Sequence, residues 1–413
     1  MKGRCFSDSC DRVKILVLCD RYPFPLTNGQ NLRIFHYVRA LRAKHSFDLV
    51  CYAGDPAPKA VRELFGSINT FPRPARRPSA GLRRLVDAFD VEQFLPDSED
   101  TRQWLRECLG RQHYDLIWVS GWDMIVNLPV EVRVPVLADA VDDGVLEWWR
   151  RLRQARGVVG RLRAFKWLLM NARFERRYFG AAKAVLFVSE LDAQVFRRVS
   201  PGTPSFVVRN GVDTEYFRPL GTPRQPEALV FEGNMSFEPN VEAAAYFVSK
   251  VLPLVRRTRR VKLTLVGARP APEVEALAGP DVEVTGFVED VRPYIDRAAV
   301  FVCPMLSGAG IKNKILQAWA MGIPVIGTTA ATGGLEAKEG HNILLGDTPE
   351  AFAGAILRVL DDQALAHRLG LAGRQTALDH YAWTGKAQEL EAVFERVARV
   401  ATLVANLGCS THA

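Results

Sequence analysis

Short apolar runs, each ending in a polar or glycine-marked loop and followed by a helical pattern, constrain the fold of this chain more than any other feature. The first series is VKILVLCD (13–20), FDLVCYA (47–53), DLIWVS (115–120), VPVLADA (134–140), AVLFVS (184–189) and PSFVVRNG (204–211). These runs are nearly continuous in apolar residues rather than alternating, which predicts strands buried on both faces of a parallel sheet, with the helical segments as crossovers. Pro219, Gly221, Pro223 and Pro226 then break the pattern. It restarts in ALVFEGN (228–234), VKLTLVG (261–267), VEVTGF (282–287), AVFVCP (299–304), IPVIGT (323–328) and NILLG (342–346). A chain of 413 residues, 48% of them apolar, can fill two cores. The fold expected is α/β, with two doubly wound domains facing across a cleft and ligands at the C-terminal ends of the strands.

The boundaries follow from the same punctuation. Residues 1–12 are expected to be a flexible N-terminal segment, 13–218 the first domain, 219–227 a linker, 228–385 the second domain, and 386–413 a C-terminal helix, packing back on the first domain, with its tail. The N-terminus, MKGRCFSDSCDR, is polar and does not read as an export signal, and no apolar run approaches the length of a membrane span. Exported two-domain binding proteins, which share this outline, are disfavoured on that reading. The seven cysteines are odd in number and scattered, as expected of buried thiols in a reducing, cytoplasmic compartment; Cys5 and Cys10 have no second pair to complete a metal site.

The formal charge of +8 is unevenly placed. Between Leu146 and Gly180 ten Arg or Lys face only Glu147 and Glu175, so the rest of the chain is close to neutral. That local excess argues against a general polyanion surface, and no aromatic platform or reading motif for nucleic acid accompanies it. The segment, WWRRLRQARGVVGRLRAFKWLLMNARFERRYFG, sets Leu162, Phe165 and Leu169 against arginines, with Gly157 and Gly160 expected to divide it into two helices. It fits either the anionic face of a bilayer, where lipid-linked acceptors present phosphates, or a packed insertion with a solvated basic face.

The chemistry is concentrated in SGAGIKNKILQAWAMGIPVIGT (307–328). Gly308 and Gly310 allow consecutive N–H groups to converge, a helix starting near Ile311 adds its positive end, and Lys312 and Lys314 add charge. Two lysines two residues apart do not share a helix face, so at most one sits directly on an anion in a regular first turn. A diphosphate suits such a nest; a glycine-marked turn with solvated lysines has the same sequence. Three further strand ends carry glycines: Gly233 with Asn234, Gly267 with Arg269, and Gly286 with Phe287. Four such ends in one domain point to a nucleotide-type ligand. The dinucleotide fingerprint and the Walker A motif are both absent, which disfavours nicotinamide enzymes and P-loop ATPases.

Taken in order, VFEGNMSFEPNVEAA, LTLVGARPAPEVEALA, VEVTGFVEDVRPYI, VFVCPMLSGAGIKNKILQAWAMGIPVIGTTAATGGLE and GHNILLGDTPEAFAGAI resemble the C-terminal domain of retaining glycosyltransferases of the GT-B fold, family 4 (glycosyl transferases group 1), among them exopolysaccharide-associated sugar transferases. In the first domain PFPLTNGQNLR resembles the family's glycine-containing first loop, and LFVSELDAQVF with VVRNGVDTEYFRP its approach to the linker. The resemblance implies two Rossmann-like domains and transfer of a sugar, with retention, from a nucleotide diphosphate sugar held mostly by the second domain to a glycan, lipid-linked or small-molecule acceptor held by the first. It implies a UDP- or GDP-sugar as donor, no required cofactor and no metal. Diphosphate contacts would come from Gly233, Asn234, Gly267, Arg269, Gly308, Ala309, Gly310, Ile311, Lys312 and Lys314, and base and ribose contacts from Phe287, Val288 and Gln317.

The match has gaps. The family's two glutamates eight residues apart fall here on Ala309 and Gln317, so both carboxylates are missing, although a glutamine at 317 can still hydrogen-bond a diol, whereas Ala309 offers only backbone. The loop NMSFEPN lacks the family's Arg and Lys, leaving Arg269, Lys312 and Lys314 to neutralise the departing diphosphate. The family's frequent first-domain histidine is replaced in DLIWVSGWDM by tryptophans. Asp139 and Asp142, in LADAVDD at a strand end, are the first domain's candidates for holding hydroxyls and join Lys312 as the catalytic set; aspartates there also cap turns and helices. Asn28, Gly29, Arg33, His36 and Trp122 are expected on the acceptor side, His36 being as readily structural. The lost glutamates leave a second reading, a non-catalytic GT-B-like subunit that binds glycan or nucleotide beside an active partner.

Overall fold

The computed structural model describes residues 12–26, 28–74, 94–155, 157–307 and 311–409, with 399–409 described by backbone alone. Cys5 and Cys10, and the expected site residues Gly308, Ala309 and Gly310, lie outside the described residues. The chain divides into two compact units, one of residues up to Val208 together with those from Ala387 on, the other Arg209–Lys386.

The first unit is built on a sheet of seven strands: β1 (Lys14–Cys19), β2 (Ser46–Tyr52), β3 (Ile68–Phe71), β4 (Leu116–Ser120), β5 (Val136–Val141), β6 (Ala184–Phe187) and β7 (Ser205–Val207). Their order is β3-β2-β1-β4-β5-β6-β7 and every pairing is parallel. The edge strand β3 is not among the apolar runs read from the sequence, because INTF carries two polar residues. Ile15, Leu16, Val17 and Leu18 are wholly buried, as a central strand covered on both faces requires. The helices that cover the sheet include α1 (Gly29–Leu41), α2 (Glu99–Arg111), α3 (Gly144–Gln154), α4 (Gly157–Phe174) and α5 (Glu190–Val199). Their starts are set by capping side chains that accept orphan N–H groups: Asn28 from Asn31, Ser98 from Thr101, Asp143 from Leu146 and Ser189 from Asp192. Within the basic segment, Gly157 opens α4 with φ 74°, whereas Gly160 lies inside that helix and divides nothing.

The second unit holds β8 (Gln225–Glu232), β9 (Lys262–Val266), β10 (Val282–Val284), β11 (Ala298–Cys303), β12 (Val325–Gly327) and β13 (Leu344–Leu345), in the order β10-β9-β8-β11-β12-β13, again all parallel. Around it pack α6 (Glu238–Tyr246), α7 (Asn313–Ala320), α8 (Pro349–Asp361) and α9 (Gln363–Tyr381). Residues 219–227 are not a free linker. Asp296 accepts from the backbone N–H of Leu220 at 3.0 Å and Thr222 at 2.9 Å, the Arg224 guanidinium donates to the Gly322 carbonyl at 2.7 Å, and β8 has already begun at Gln225. The final helix, α10 (Trp383–Cys409), begins in this unit and from Ala387 belongs to the first, where Phe394 meets the Trp118 ring edge-on and Glu391 binds Lys44 and His45.

In both sheets the strand order reverses beside the first strand, between β1 and β4 and between β8 and β11. That switch point opens a crevice at the C-terminal strand ends, because the neighbouring crossovers leave to opposite faces.

Candidate functional site

In the second unit the loops after β8, β9 and β11 and the start of α7 converge at the switch point. Gly267 adopts φ 150°, and a β-carbon there would stand 1.7 Å from the carbonyl oxygen of Gly233, so the β8 and β9 loops touch backbone to backbone. A β-carbon on Gly233 would in turn stand 2.8 Å from Lys314 Nζ and 2.7 Å from the Asn240 amide nitrogen. Bare backbone at these two positions lets the loops close on each other and on α7. Asn234 folds back as an Asx turn, its Oδ1 accepting from Ser236 N at 3.1 Å, and its carbonyl accepts from the Asn240 side chain at 2.9 Å.

Lys314 reaches this junction from the first turn of α7. Its ammonium donates to Asn240 Oδ1 at 2.7 Å and lies 4.4 Å from the centroid of the Phe231 ring. Burial lowers its pKa, while Cys303 and Glu232 nearby act to hold the proton on. Burial likewise raises the Glu232 pKa, with Lys314 opposing. Lys314 runs under the β8 loop, while Lys312, the extended residue immediately before α7, is buried at 8% exposure. Burial raises the pKa of Cys303, and Lys314 and Lys312 together act to lower it. Arg269 is exposed, holds a left-handed φ of 53°, and makes no hydrogen bond or ion pair among the described residues. In the loop after β11 the Ser307 hydroxyl donates to Glu242 at 2.9 Å. Ile311 packs against the core, as does Val288, while Phe287 stands 75% exposed past β10.

Two acceptors in α7 are left over. Gln317 Oε1 and Asn313 Oδ1 are buried and receive no hydrogen bond. They lie four residues apart and so share a helix face. Unpaired buried carbonyls cost stability in the free protein, and hydroxyl groups of a ribose or sugar would supply the missing donors. Bare loops, an ammonium, a free guanidinium and two waiting acceptors together fit a sugar nucleotide. The sequence singled out Gln317 but not Asn313, whose only signal was its helical spacing from it.

The first unit corrects several expectations. Asp139, expected to hold hydroxyls, is wholly buried and ion-paired with Arg33 at 2.6 Å, and it also accepts from Trp118 Nε1 at 3.3 Å. Arg33, expected on the acceptor side, is equally buried and donates to the Val208 carbonyl at 2.6 Å. These two charges neutralise each other inside the unit. His36 is buried at 4% exposure, and Trp122, partly exposed, is stacked on Phe174 at 4.8 Å and packed against Gly144. Asn28 and Gly29 form the start of α1, Asn28 as its cap.

Asp142 remains partly exposed at the end of β5, where the register with β6 shifts between Asp139 and Val141 and Val141 takes φ 67°. A β-branched residue in the left-handed region is strained, and such strain accumulates where side chains are aimed. Next to it Asp143 and Glu175 bury neighbouring carboxyls. Desolvation raises Asp143 to about 7, with Asp192 adding to the rise, and raises Glu175 well above the usual carboxylate range, helped by Asp143. Asp143 caps α3 at Leu146 N, 2.6 Å, and Glu175 accepts from Gly144 N at 3.0 Å. A further group was not foreseen: Arg73 bridges Asp20 and Asp123, and Arg21 binds Asp20 at 2.6 Å, gathering charge at the ends of β1, β3 and β4. Arg73 lies 53 and 50 residues from its two partners, and only the Asp closing VKILVLCD hinted at the group. Among the described residues no group of three His, Cys, Asp or Glu side chains is placed to hold a metal ion.

Two Rossmann-like units with these switch points define the GT-B fold class. The family described as "Glycosyl transferases group 1" matches residues 226–362, most of the second unit. The chain is 30% identical over 253 residues to the alpha-maltose-1-phosphate synthase of Mycobacterium tuberculosis, a match covering 52% of this chain and 64% of the relative, so the chain spans less than two thirds of that protein. Among solved structures it is similar to the sucrose-phosphate synthase of Thermosynechococcus elongatus, with TM-score 0.70 and 19% identity over 94% of this chain and all of the other. The Anabaena protein Alr3699/HepE, solved in complex with UDP and glucose, gives TM-score 0.65 and 14% identity over 93% of this chain and 100% of that one. These solved structures share its fold.

Proposed function

We propose that the chain is a retaining glycosyltransferase that moves a sugar from a nucleoside diphosphate sugar to a hydroxyl of a glycan, lipid-linked or small-molecule acceptor, in exopolysaccharide assembly or a related glycosylation. The observation that carries this reading is the second unit's junction. Gly233 and Gly267 bring two loops together over the Lys314 ammonium, while Gln317 Oε1 waits one helical turn away without a donor. The similar Anabaena protein was solved with UDP and glucose, which supports a UDP-sugar as the donor to test first.

On this reading Lys314, Lys312 and Arg269, with the N–H groups at the start of α7, take the diphosphate, and Gln317 and Asn313 accept from ribose or sugar hydroxyls. The bond from the anomeric carbon to the diphosphate oxygen breaks with its electron pair going to the leaving phosphate. The acceptor hydroxyl adds to the same face of that carbon, and its proton passes to the departing phosphate oxygen. Cations are worth most here because they stabilise charge that grows as the bond breaks. The balance needs no protein carboxylate as acid or base, so the absence of glutamate at 309 and 317 is compatible with turnover. No metal or cofactor enters this scheme. Acceptor binding belongs to the first unit's strand ends, with Asp142, Asn28 and Gly29 as its polar groups.

Calorimetry with UDP, GDP, ADP and dTDP tests the donor site. Binding of one of them, weakened in Arg269→Ala, supports the reading; no binding at millimolar ligand rejects it. Sugar release or transfer by the purified chain separates a transferase from a non-catalytic binding subunit.

A further inference from the structure

We propose that the outer face of α4 docks this chain on an anionic lipid bilayer. Helix α4 has two apolar faces. Ala164, Met170 and Phe174 are buried against the rest of the first unit, while Val158, Leu162, Phe165 and Leu169 lie outside, at 73%, 64%, 48% and 53% exposure. The spacing of four, three and four residues sets those outer side chains in one stripe about 16 Å long. A single exposed leucine is ordinary; a continuous apolar stripe is not.

The rim of the stripe identifies its occupant. Arg161 borders it on one side, and Lys166 and Arg173 border it on the other. No acidic side chain interrupts them on α4: the next carboxyl, Glu175, is fully buried and held toward its neutral form by desolvation. On the adjoining α3, Glu147 is already paired with Arg151 at 2.6 Å, and Arg153 lies over the ring of the exposed Trp149. A second copy of this chain pairing through the stripe would bring basic rim against basic rim. A bilayer interface with anionic headgroups accepts both features, the apolar side chains entering the acyl boundary and the long cationic side chains reaching up to phosphates. Helix α3 stacks on α4 through Trp148 and Trp167, ring centroids 5.4 Å apart, so the pair presents itself as one body. Among the described residues no helix is long and apolar enough to cross a membrane, and contact along α4 is therefore interfacial.

The test uses the full chain and sedimentation with vesicles of phosphatidylcholine alone or with phosphatidylglycerol added; it needs no donor and is independent of any transferase activity. The wild type is expected to partition onto the anionic vesicles and to leave them as salt rises. Leu162→Asp with Phe165→Asp is expected to lower that partition at least about tenfold, and Arg161→Gln with Arg173→Gln several-fold, both with unchanged melting temperature because the side chains are exposed. Equal binding to both vesicle types, or full binding by the Asp variant, overturns the proposal. So does a dimer that the Asp variant dissolves in a protein that ignores lipid, since a second copy would then own the stripe.

Discussion

The carbonyl oxygen of Gly233 occupies the place where a side chain on Gly267 would begin: the distance from that oxygen to a β-carbon at 267 would be 1.7 Å. The two loops can touch because neither residue has a side chain. Gly267→Ala should push the β9 loop off the β8 loop, costing about 1–3 kcal/mol in stability and abolishing nucleoside diphosphate binding. Gly279→Ala, where nothing lies within 4 Å, is the control and should do neither. Thermal melts beside calorimetry check both; wild-type affinity in a folded Gly267→Ala protein would detach this junction from donor binding.

Gln317 should behave oppositely in stability and in binding. Gln317→Leu removes a buried carbonyl that has no donor, so the free protein should melt at the same temperature or higher. Affinity for the nucleoside diphosphate should nevertheless fall by about 0.5–2 kcal/mol, the scale of one hydrogen bond to a neutral partner. Gln317→Glu should keep binding. A Leu variant with undiminished affinity would remove Gln317 from the ribose.

Arg269→Ala should weaken nucleotide diphosphate binding by about 1.5–3 kcal/mol and leave the melting temperature unchanged, because the guanidinium is exposed and unengaged. Lys314→Met should weaken binding and also lower stability, since its ammonium holds Asn240 and through it the β8 loop. Calorimetry and melts on the two variants distinguish a cation that only binds from one that also supports the loop.

Asp139→Asn should destabilise by about 3–5 kcal/mol, because it leaves the Arg33 charge buried without its counterion. Such a loss would be seen in denaturant titration, and any activity left in the folded fraction should keep its KM for the donor. Loss of turnover in a protein of undiminished stability would instead return Asp139 to the reaction.

Stability should depend on pH through Asp143 and Glu175. Both carboxyls have pKa values raised in the fold, so the folded state holds a proton that the unfolded chain releases. Their contribution is complete below the unfolded carboxyl range, near pH ~4, and is lost as pH rises through about 7. Melting temperature should therefore decline between mildly acidic and mildly alkaline buffer. Glu175→Gln keeps an oxygen for Gly144 N and carries no charge, so it should flatten that decline and stabilise by on the order of 1 kcal/mol above pH 7. An unchanged pH profile in this variant would show that the pair is ionised in the fold.

Strand positions and the glycine-marked loops of the second unit were legible in the sequence because they are local: a run of apolar residues reads as a buried strand, and a glycine at its end reads as a turn. The same holds for Lys314 and Gln317, whose spacing along α7 fixes their relative directions. Asp139 shows where local reading stops. An aspartate at a strand end looks the same whether it faces solvent or a partner, and its partner Arg33 lies 106 residues away. Only the packing of α1 against β5 turns a hydroxyl-binding candidate into half of a buried ion pair. Strand β3 was missed for a related reason, since its four residues gain their strand character from pairing with β2 rather than from their own composition. Helix α4 gives the sharpest division. The sequence determined that the basic segment is helical and sets Leu162, Phe165 and Leu169 against arginines, because helical period and residue type are properties of the chain alone. Which apolar side is buried and which stays outside was decided by the tertiary structure, because burial depends on what the helix packs against.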